Sequence, residues 1–240
     1  MKFSGRSDST SSFMPSDTSK PVQEFAAVSA RVARRYRRCG RRTYGYVKGK
    51  LRYDPIHRDV LTLAAQEPFA DVLDIGCGRG QLGIALLEAG LASSVLGMDR
   101  QAQYLVQARD AASGLAYHAV MQDLTLAHDT PQATTVLLID VLYQLADEAQ
   151  QAVLRATCCA ARERIVIRTL DPDRGVRSLL TLGLERALRP VSAHSGERVN
   201  PWKVTKLLAV LTELGFTASV APCWGGMPLA NVLIIGRRTR

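Results

Sequence analysis

Short apolar runs alternate with amphipathic stretches from residue 71 onward. Runs such as VLLIDV and NVLIIG are apolar at successive positions, which is typical of strands buried on both faces. Stretches of helical periodicity separate them, so the pattern predicts a parallel sheet with crossover helices. The predicted strands are Val72–Ile75, Ser94–Met98, Ala116–Met121, Thr135–Val141, Arg164–Thr169, Thr217–Pro222 and Ala230–Gly236.

The predicted connecting helices complete the α/β pattern. The last of them ends at Gly215, which has the residue type of a C-terminal cap, and two strands follow in close succession. We therefore expect a doubly wound, mostly parallel seven-stranded sheet with an antiparallel C-terminal strand. The helices are predicted at 80–90, 101–112, 147–162, 174–188 and 201–214.

The residues before the sheet differ in composition. Residues 1–20 are rich in Ser, Thr, Asp and Lys and predict a disordered tail, because they cannot bury enough apolar surface to fold. Residues 21–69 are basic and helical in pattern, with a helix over 56–66. They predict an appendage or lid on a domain formed by residues 70–240.

Composition narrows the class of protein. The chain has 240 residues, a formal net charge of +9 and five cysteines, a length that suits one α/β domain with an appendage. The cysteines are odd in number and form no C-x-x-C pair, which argues against a disulfide framework and a zinc site. Neither a secretory signal nor a membrane-spanning apolar stretch is visible, so we expect a cytoplasmic protein.

The stretch VLDIGCGRGQLG (72–83) places a glycine-rich turn between the first strand and the next helix. Such a turn lets a ligand approach the backbone and the helix N-terminus. Counted from Gly78, the glycines fit the motif G-x-G-x-x-G of dinucleotide-binding sites. Counted from Gly76, they fit the motif G-x-G-x-G. Asp74 favours the second, because a carboxylate repels a pyrophosphate but attracts the sulfonium and ammonium groups of S-adenosylmethionine.

The sequence V-L-D-I-G-C-G-R-G resembles the first motif of class I S-adenosylmethionine-dependent methyltransferases, E/D-x-G-x-G-x-G. The resemblance covers roughly residues 70–170 and implies a Rossmann-like fold with S-adenosylmethionine as cofactor. The cofactor-binding residues that it implies in this loop are Asp74, Gly76, Cys77, Gly78 and Gly80.

The next two strand ends extend the predicted cofactor site. Asp99, followed by Arg100, ends the second strand, where a carboxylate accepts the ribose hydroxyls of a nucleoside, including that of NAD. In the family, an acid after the third strand commonly binds the adenine amino group. Here that acid is Asp123, with Leu124 as a neighbouring backbone donor; the alternative is that Asp123 caps a turn.

Methyl transfer mainly requires orientation of the acceptor, with a base only where the nucleophile must lose a proton. The fourth strand ends in LLIDVLYQL, which places Asp140 and Tyr143 to face the methyl group; Asp140 also belongs to the predicted cofactor pocket. His194 is the candidate base from the C-terminal half. The other histidines carry no supporting pattern: His57, His118 and His128. The stretch D-V-L-Y lacks the prolines of the tetrad found in methyltransferases of exocyclic base amines, which argues against that activity.

The segment Arg31–Arg42 is rich in arginine, and helical spacing puts some of these side chains on one face, namely Arg31, Arg34, Arg35, Arg38 and Arg42. The face could bind RNA phosphates, an acidic carrier protein or an anionic membrane surface, or have no partner. Nucleic acid is disfavoured because the sheet carries no second basic cluster. The stretch YGYVKGKLRYDPIHRDV suits a substrate lid, opposite a loop at 190–202 that carries His194, Arg198 and Trp202.

We therefore expect an S-adenosylmethionine-dependent methyltransferase that acts on a small-molecule metabolite or biosynthetic intermediate. One alternative is an RNA or protein methyltransferase that uses the Arg-rich segment. Another is a non-catalytic S-adenosylmethionine-binding module. A NAD(P) oxidoreductase is disfavoured by Asp74, and no metal ligands are predicted.

Overall fold

A computed structural model describes residues 19–124, 130–178, 181, 183, 199–225 and 229–239. Its centre is a seven-stranded sheet in the order β3-β2-β1-β4-β5-β7-β6. Strands β1 to β5 are mutually parallel, whereas β7 is antiparallel to both of its neighbours. The predicted fold class is confirmed. The strands are β1 Asp71–Ile75, β2 Ser94–Asp99, β3 Tyr117–Met121, β4 Ala133–Ile139, β5 Ala161–Leu170, β6 Phe216–Pro222 and β7 Asn231–Arg238.

The helices are α1 Ser19–Arg35, α2 Arg41–Tyr53, α3 Pro55–Gln66, α4 Gln81–Glu88, α5 Ala102–Ala111, α6 Asp147–Ala160 and α7 Val204–Glu213. Helix α1 begins inside the predicted tail, of which residues 1–18 lie outside the described residues. The predicted helix over 174–188 also lies largely outside them. In the described part of the chain, no helix has the length and apolar character needed to span a bilayer.

Helices α1 to α3 are packed onto the sheet domain. Tyr36, Val47 and Val60 are fully buried in the same hydrophobic cluster as Ile84 of α4 and Leu137 of β4. A second cluster fills the other face of the sheet, where α6 and α7 contribute buried leucines. The appendage therefore shares its core with the domain that it covers, and it forms one wall of the cleft described below.

The Arg-rich segment does not form the continuous helical face that the sequence predicts. Helix α1 ends at Arg35, and Gly40, with φ of 92°, separates a short 3₁₀ turn from α2. Arg31 and Arg35 form ion pairs with Glu88 at the end of α4, and Arg35 also donates to the carbonyl oxygen of Ala111 in α5. Cations are favourable at helix C-termini, so these two arginines hold α1 on the domain. The predicted partners of the segment stay a prediction.

Candidate active site

A cavity of about 530 Å³ lies at the carboxyl ends of β1, β2 and β4. This volume is in the usual range for a small-ligand site, and this edge is where doubly wound sheets bind their ligands. The predicted cofactor residues line it, except Gly80: Asp74, Gly76, Cys77, Gly78, Asp99, Arg100, Asp123, Leu124 and Asp140. Tyr143 lines it as well, whereas His194 lies outside the described residues.

The glycine loop has a backbone that other residues adopt only with strain. Gly76, Gly78 and Gly80 have φ values of 71°, 55° and 75°, in the left-handed region that favours glycine. A Cβ at Gly76 would lie 2.3 Å from Val141 Cγ2, and one at Gly80 would lie 2.5 Å from Tyr117 Oη. A Cβ at Gly78 would contact no protein atom, so the space beside this part of the loop is open to a ligand.

Two acids lie beside the glycine loop. Asp74 is only 3% exposed, and burial, together with the negative charge of Asp99, raises its pKa to about 7. The Asp99 carboxylate accepts hydrogen bonds of 2.8 Å from the backbone N–H groups of Gly78 and Gln101, which fixes its orientation. A ligand cation next to this pair would stabilise the ionised form of Asp74.

The acids at the end of β2 and after β3 complete this side of the cavity. Asp99 is the last residue of β2 and Arg100 follows it, and Asp123 and Leu124 follow β3. They therefore occupy the positions along the cavity at which the sequence places the ribose and adenine of a nucleoside. The binding roles of these residues stay predictions.

A charged cluster on the neighbouring wall was missed by the sequence reasoning. Arg168 of β5 is buried and forms ion pairs with Asp54 and with Asp140, the latter with Nε and Oδ1 3.0 Å apart. Lys50 Nζ lies 2.9 Å from the other oxygen of Asp54. The sequence does contain a sign of this cluster. Arg168 lies inside the apolar run RIVIRT (164–169), and a buried arginine requires buried partners.

The cluster changes the protonation of its carboxyl groups. Burial opposes ionisation of Asp54, but Arg168 and Lys50 outweigh it and hold its pKa well below the usual range. For Asp140, burial is the larger influence, and it raises the pKa despite the same two cations. Asp140 also has a left-handed backbone, with φ of 59°, a strain that persists where the surrounding structure enforces it.

The N-terminal helices reach the cavity. Tyr46 and Lys50 of α2 and Ile56 and His57 of α3 line it, which is the position that a substrate lid requires. The sequence predicts that a loop at 190–202 lies opposite this lid, but residues 190–198 lie outside the described residues.

Trp202, the described aromatic residue of that loop, does not come to the cavity. It is 5% exposed, packs in the core on the α6 and α7 side, and donates a 2.7 Å hydrogen bond from Nε1 to Asp147 Oδ1. The expectation that it forms the opposite wall of the substrate pocket was wrong, because its indole packs in the core and finds its hydrogen-bond partner at the start of α6.

Arg79 joins the glycine loop to the N-terminal helices. Its guanidinium carbon lies 4.3 Å from the ring centroid of Tyr46 and 4.1 Å from that of Tyr104. Its Nε donates to Gln107 Oε1 at 2.9 Å, and Tyr36 Oη donates to its carbonyl oxygen at 2.6 Å. Cation–π contacts contribute about 0.5–2 kcal/mol each, so this stack helps to hold α2 against the loop.

Comparison with known families agrees with this geometry. Residues 72–163 match the family model described as "Methyltransferase domain", which includes the glycine loop and the first four strands. The matched region and the order of the strands are those of class I S-adenosylmethionine-dependent methyltransferases. No curated protein matches the sequence.

Solved structures share the fold. The magnesium protoporphyrin IX methyltransferase ChlM of Synechocystis PCC 6803, with bound S-adenosylhomocysteine, is 22% identical over 77% of this chain and 84% of that chain, with a TM-score of 0.59. The pyocyanin biosynthetic protein PhzM is 20% identical over 82% and 58%, with a TM-score of 0.60. The N-methyltransferase NodS of Bradyrhizobium japonicum WM9 is 14% identical over 77% and 86%, with a TM-score of 0.56.

The cavity residues fit S-adenosylmethionine, which supplies a methyl group on a positively charged sulfur. Asp74 is a buried carboxylate whose ionised form needs a nearby cation, and the open space at Gly78 gives a ligand access to the backbone. Asp74 and Asp99 would hold the cationic and ribose parts of the cofactor. The protein then has to orient an acceptor within about 3–3.5 Å of the methyl carbon.

Proposed function

We propose that this methyltransferase acts on a small molecule. The observation that carries the proposal is the position of α2 and α3, whose side chains line the same cavity as the glycine loop and the end of β4. An acceptor must therefore reach a space bounded by these helices, which suits a small molecule better than a continuous RNA strand or protein segment.

The lining residues support an acceptor of low net charge. Lys50 and Arg168 contribute two positive charges, and Asp54 and Asp140 can contribute two negative ones, all within one ion-paired cluster. Apolar residues line the cavity as well: Ile56, Leu82, Ile139, Val141 and Leu145. These surroundings favour a polar reacting group on a mostly apolar frame.

The test is transfer of label from S-adenosylmethionine with a tritiated methyl group. The purified full chain is incubated with phenols, carboxylic acids, alcohols and amines, and separately with total RNA and with a protein extract. We expect label in the small-molecule fraction and its loss in the Asp74→Asn variant. Label confined to RNA or protein would support the macromolecular alternative. Tight cofactor binding without any transfer would support a binding module.

A further inference from the structure

Asp140 directly follows β4 and is held in a strained backbone conformation. Its φ of 59° lies in the left-handed region, which residues other than glycine seldom adopt. Its backbone N–H donates a 3.1 Å hydrogen bond to the carbonyl oxygen of Arg168 in β5, which helps to hold this conformation. Strain of this kind is concentrated at active sites and ligand contacts, so the position of the Asp140 side chain deserves a functional explanation.

The two carboxylate oxygens of Asp140 have different surroundings. Oδ1 is fully buried and lies 3.0 Å from Nε of Arg168. The side chain as a whole is nevertheless 22% exposed, and it lines the cavity. Among the described residues, no group donates a hydrogen bond to Oδ2. Arg168 therefore fixes one oxygen of the carboxylate, and the other is accessible to a ligand in the cavity.

The charged groups that face Asp140 come from three parts of the chain: Arg168 in β5, Lys50 in α2 and Asp54 before α3. Burial and the charge of Asp54 raise the pKa of Asp140, whereas the two cations act in the opposite direction, and the net effect is a raised pKa. A carboxylate with a raised pKa is a stronger proton acceptor than an ordinary one. A ligand that donates a hydrogen bond to Oδ2 would stabilise its ionised form.

These surroundings favour a hydroxyl group over an amine as the partner of Oδ2. Lys50 and Arg168 place positive charge next to Asp140, which opposes the binding of a protonated amine. A neutral hydroxyl avoids this repulsion and carries one proton that a carboxylate oxygen can accept. The apolar part of the cavity lining suits the remainder of such a molecule.

We propose that Asp140 is a catalytic residue that binds the hydroxyl group of the acceptor and takes up its proton. This inference rests on the proposed small-molecule function. A lone pair of the hydroxyl oxygen forms the bond to the methyl carbon, and the electron pair of the carbon–sulfur bond passes to sulfur. The hydroxyl proton passes to Oδ2 of Asp140. The products are a methyl ether and S-adenosylhomocysteine, and the neutral carboxylic acid returns its proton to water.

Kinetics test this role on a hydroxyl compound that the wild-type chain methylates. Asp140→Asn keeps the shape of the side chain and tolerates the left-handed backbone, but it cannot take up the proton. We expect kcat to fall by roughly 10²–10⁴-fold with the Kd of S-adenosylhomocysteine unchanged. The matched control is Asp110→Asn, since Asp110 lies exposed on α5. An unchanged kcat with a weaker Kd would assign Asp140 to cofactor binding alone and overturn the proposal.

The pH dependence distinguishes a proton acceptor from a structural carboxylate. Wild-type kcat, measured at saturating cofactor and acceptor, should rise with pH through the pKa of Asp140, because only the ionised form accepts the proton. Asp140→Asn should lose this rise. Asp140→Gly fits the left-handed backbone and leaves room for a small carboxylate, so added formate should restore part of its activity. A folded Asp140→Gly variant that formate does not activate would contradict the role.

A binding experiment tests the contact without turnover. The full chain, with ¹³C-labelled aspartate carboxyl groups and saturated with S-adenosylhomocysteine, is titrated with p-cresol or 1-octanol and is followed by NMR. We expect either hydroxyl compound to shift the one signal that the Asp140 variants lack, and the corresponding methyl ethers to leave it unchanged. No shift with either hydroxyl compound, or an equal shift with the ethers, would overturn the proposal.

The outcomes separate this proposal from the proposed function. Methylation of amines without methylation of any hydroxyl compound would overturn the role of Asp140 and leave the small-molecule function standing. If no small molecule is methylated, the proposed function fails, whereas the NMR titration still decides on Asp140.

Discussion

Asp54 and Arg168 form an ion pair that joins the start of α3 to β5, 114 residues further along the chain. Both side chains are largely buried, with 10% and 8% of their surface exposed. Because Arg168 also pairs with Asp140 after β4, this contact fixes α2 and α3 to the end of β4 that borders the cavity. The position of these helices thus depends on charge as well as on apolar packing.

We expect Asp54→Asn to lower the free energy of unfolding by about 3–5 kcal/mol, because it leaves Arg168 buried with one counterion fewer. Asparagine still caps a helix well, so the loss reports the charge and not the cap of α3. Urea denaturation at neutral pH measures it. The control is Lys203→Met, which breaks an exposed pair with Asp173 and should change little. Equal effects of the two substitutions would contradict the expectation.

Asp74 should make the ligand-free protein less stable as the pH rises. Its folded-state pKa of about 7 exceeds the unfolded value near 4, so the folded state binds more protons between these two pH values and stability falls there. We expect Asp74→Asn to be more stable than the wild type at pH 8, by on the order of a few kcal/mol. The gain should vanish towards pH 4. Urea denaturation across this range measures it.

Asp74→Asn should also abolish cofactor binding. Calorimetric titration with S-adenosylmethionine measures this loss. The matched control lies at the other end of β1. Hydrogen bonds from Thr134 and Arg162 outweigh burial and lower the pKa of Asp71, so Asp71→Asn should lose stability above pH 4 and keep cofactor affinity. A variant at Asp74 that is less stable than the wild type at pH 8 would refute the assignment.

Gly76→Ala should be more destabilising than a left-handed backbone alone explains. The added Cβ would lie 2.3 Å from Val141 Cγ2, so a steric clash adds to the strain of about 1–2 kcal/mol. Gly90→Ala is the matched control, since Gly90 has φ of 67° and open space around the added Cβ. Thermal unfolding compares them, and Val141→Ala should rescue Gly76→Ala to the level of the control. Failure of that rescue would show that the clash is not the cause.

Arg79→Gln should loosen α2 from the glycine loop, because it removes the cation between Tyr46 and Tyr104. We expect faster amide hydrogen exchange in α2 and weaker binding of S-adenosylhomocysteine. Arg52→Gln provides the comparison, since Arg52 stacks on Tyr53, which is 68% exposed. Equal amide exchange rates in α2 of the two variants would show that Arg79 does not hold α2 against the glycine loop. Point substitutions are preferable to deletion of this segment, because Val47 and Leu51 of α2 belong to the core.

The sheet and the glycine loop could be predicted because their signals are local. A buried parallel strand is a continuous apolar run, and the loop combines Asp74 with closely spaced glycines over seven residues. Gly83 of α4 packs closely against β2, since a Cβ there would lie 2.8 Å from Val95 Cγ1.

The lid side of the site could not be predicted, because its contacts join distant parts of the chain. His57 has no pattern around it in the sequence, and its environment depends on how α3 packs against β5. The continuous helical face expected for the Arg-rich segment is absent for a related reason: Gly40 interrupts the helix, and Glu88 of α4 binds two of the arginines. Tertiary contacts of this kind override helical spacing.

The position of Arg168 late in the chain has a consequence for how the protein folds as it is synthesised. Asp54 leaves the ribosome 114 residues before Arg168, and chains grow by about 5–20 residues per second. During those seconds Asp54 has Lys50 as a counterion, and α2 and α3 can pack on α4 but lack β5. The N-terminal helices, although made first, reach their full set of contacts only after β5 has joined the sheet.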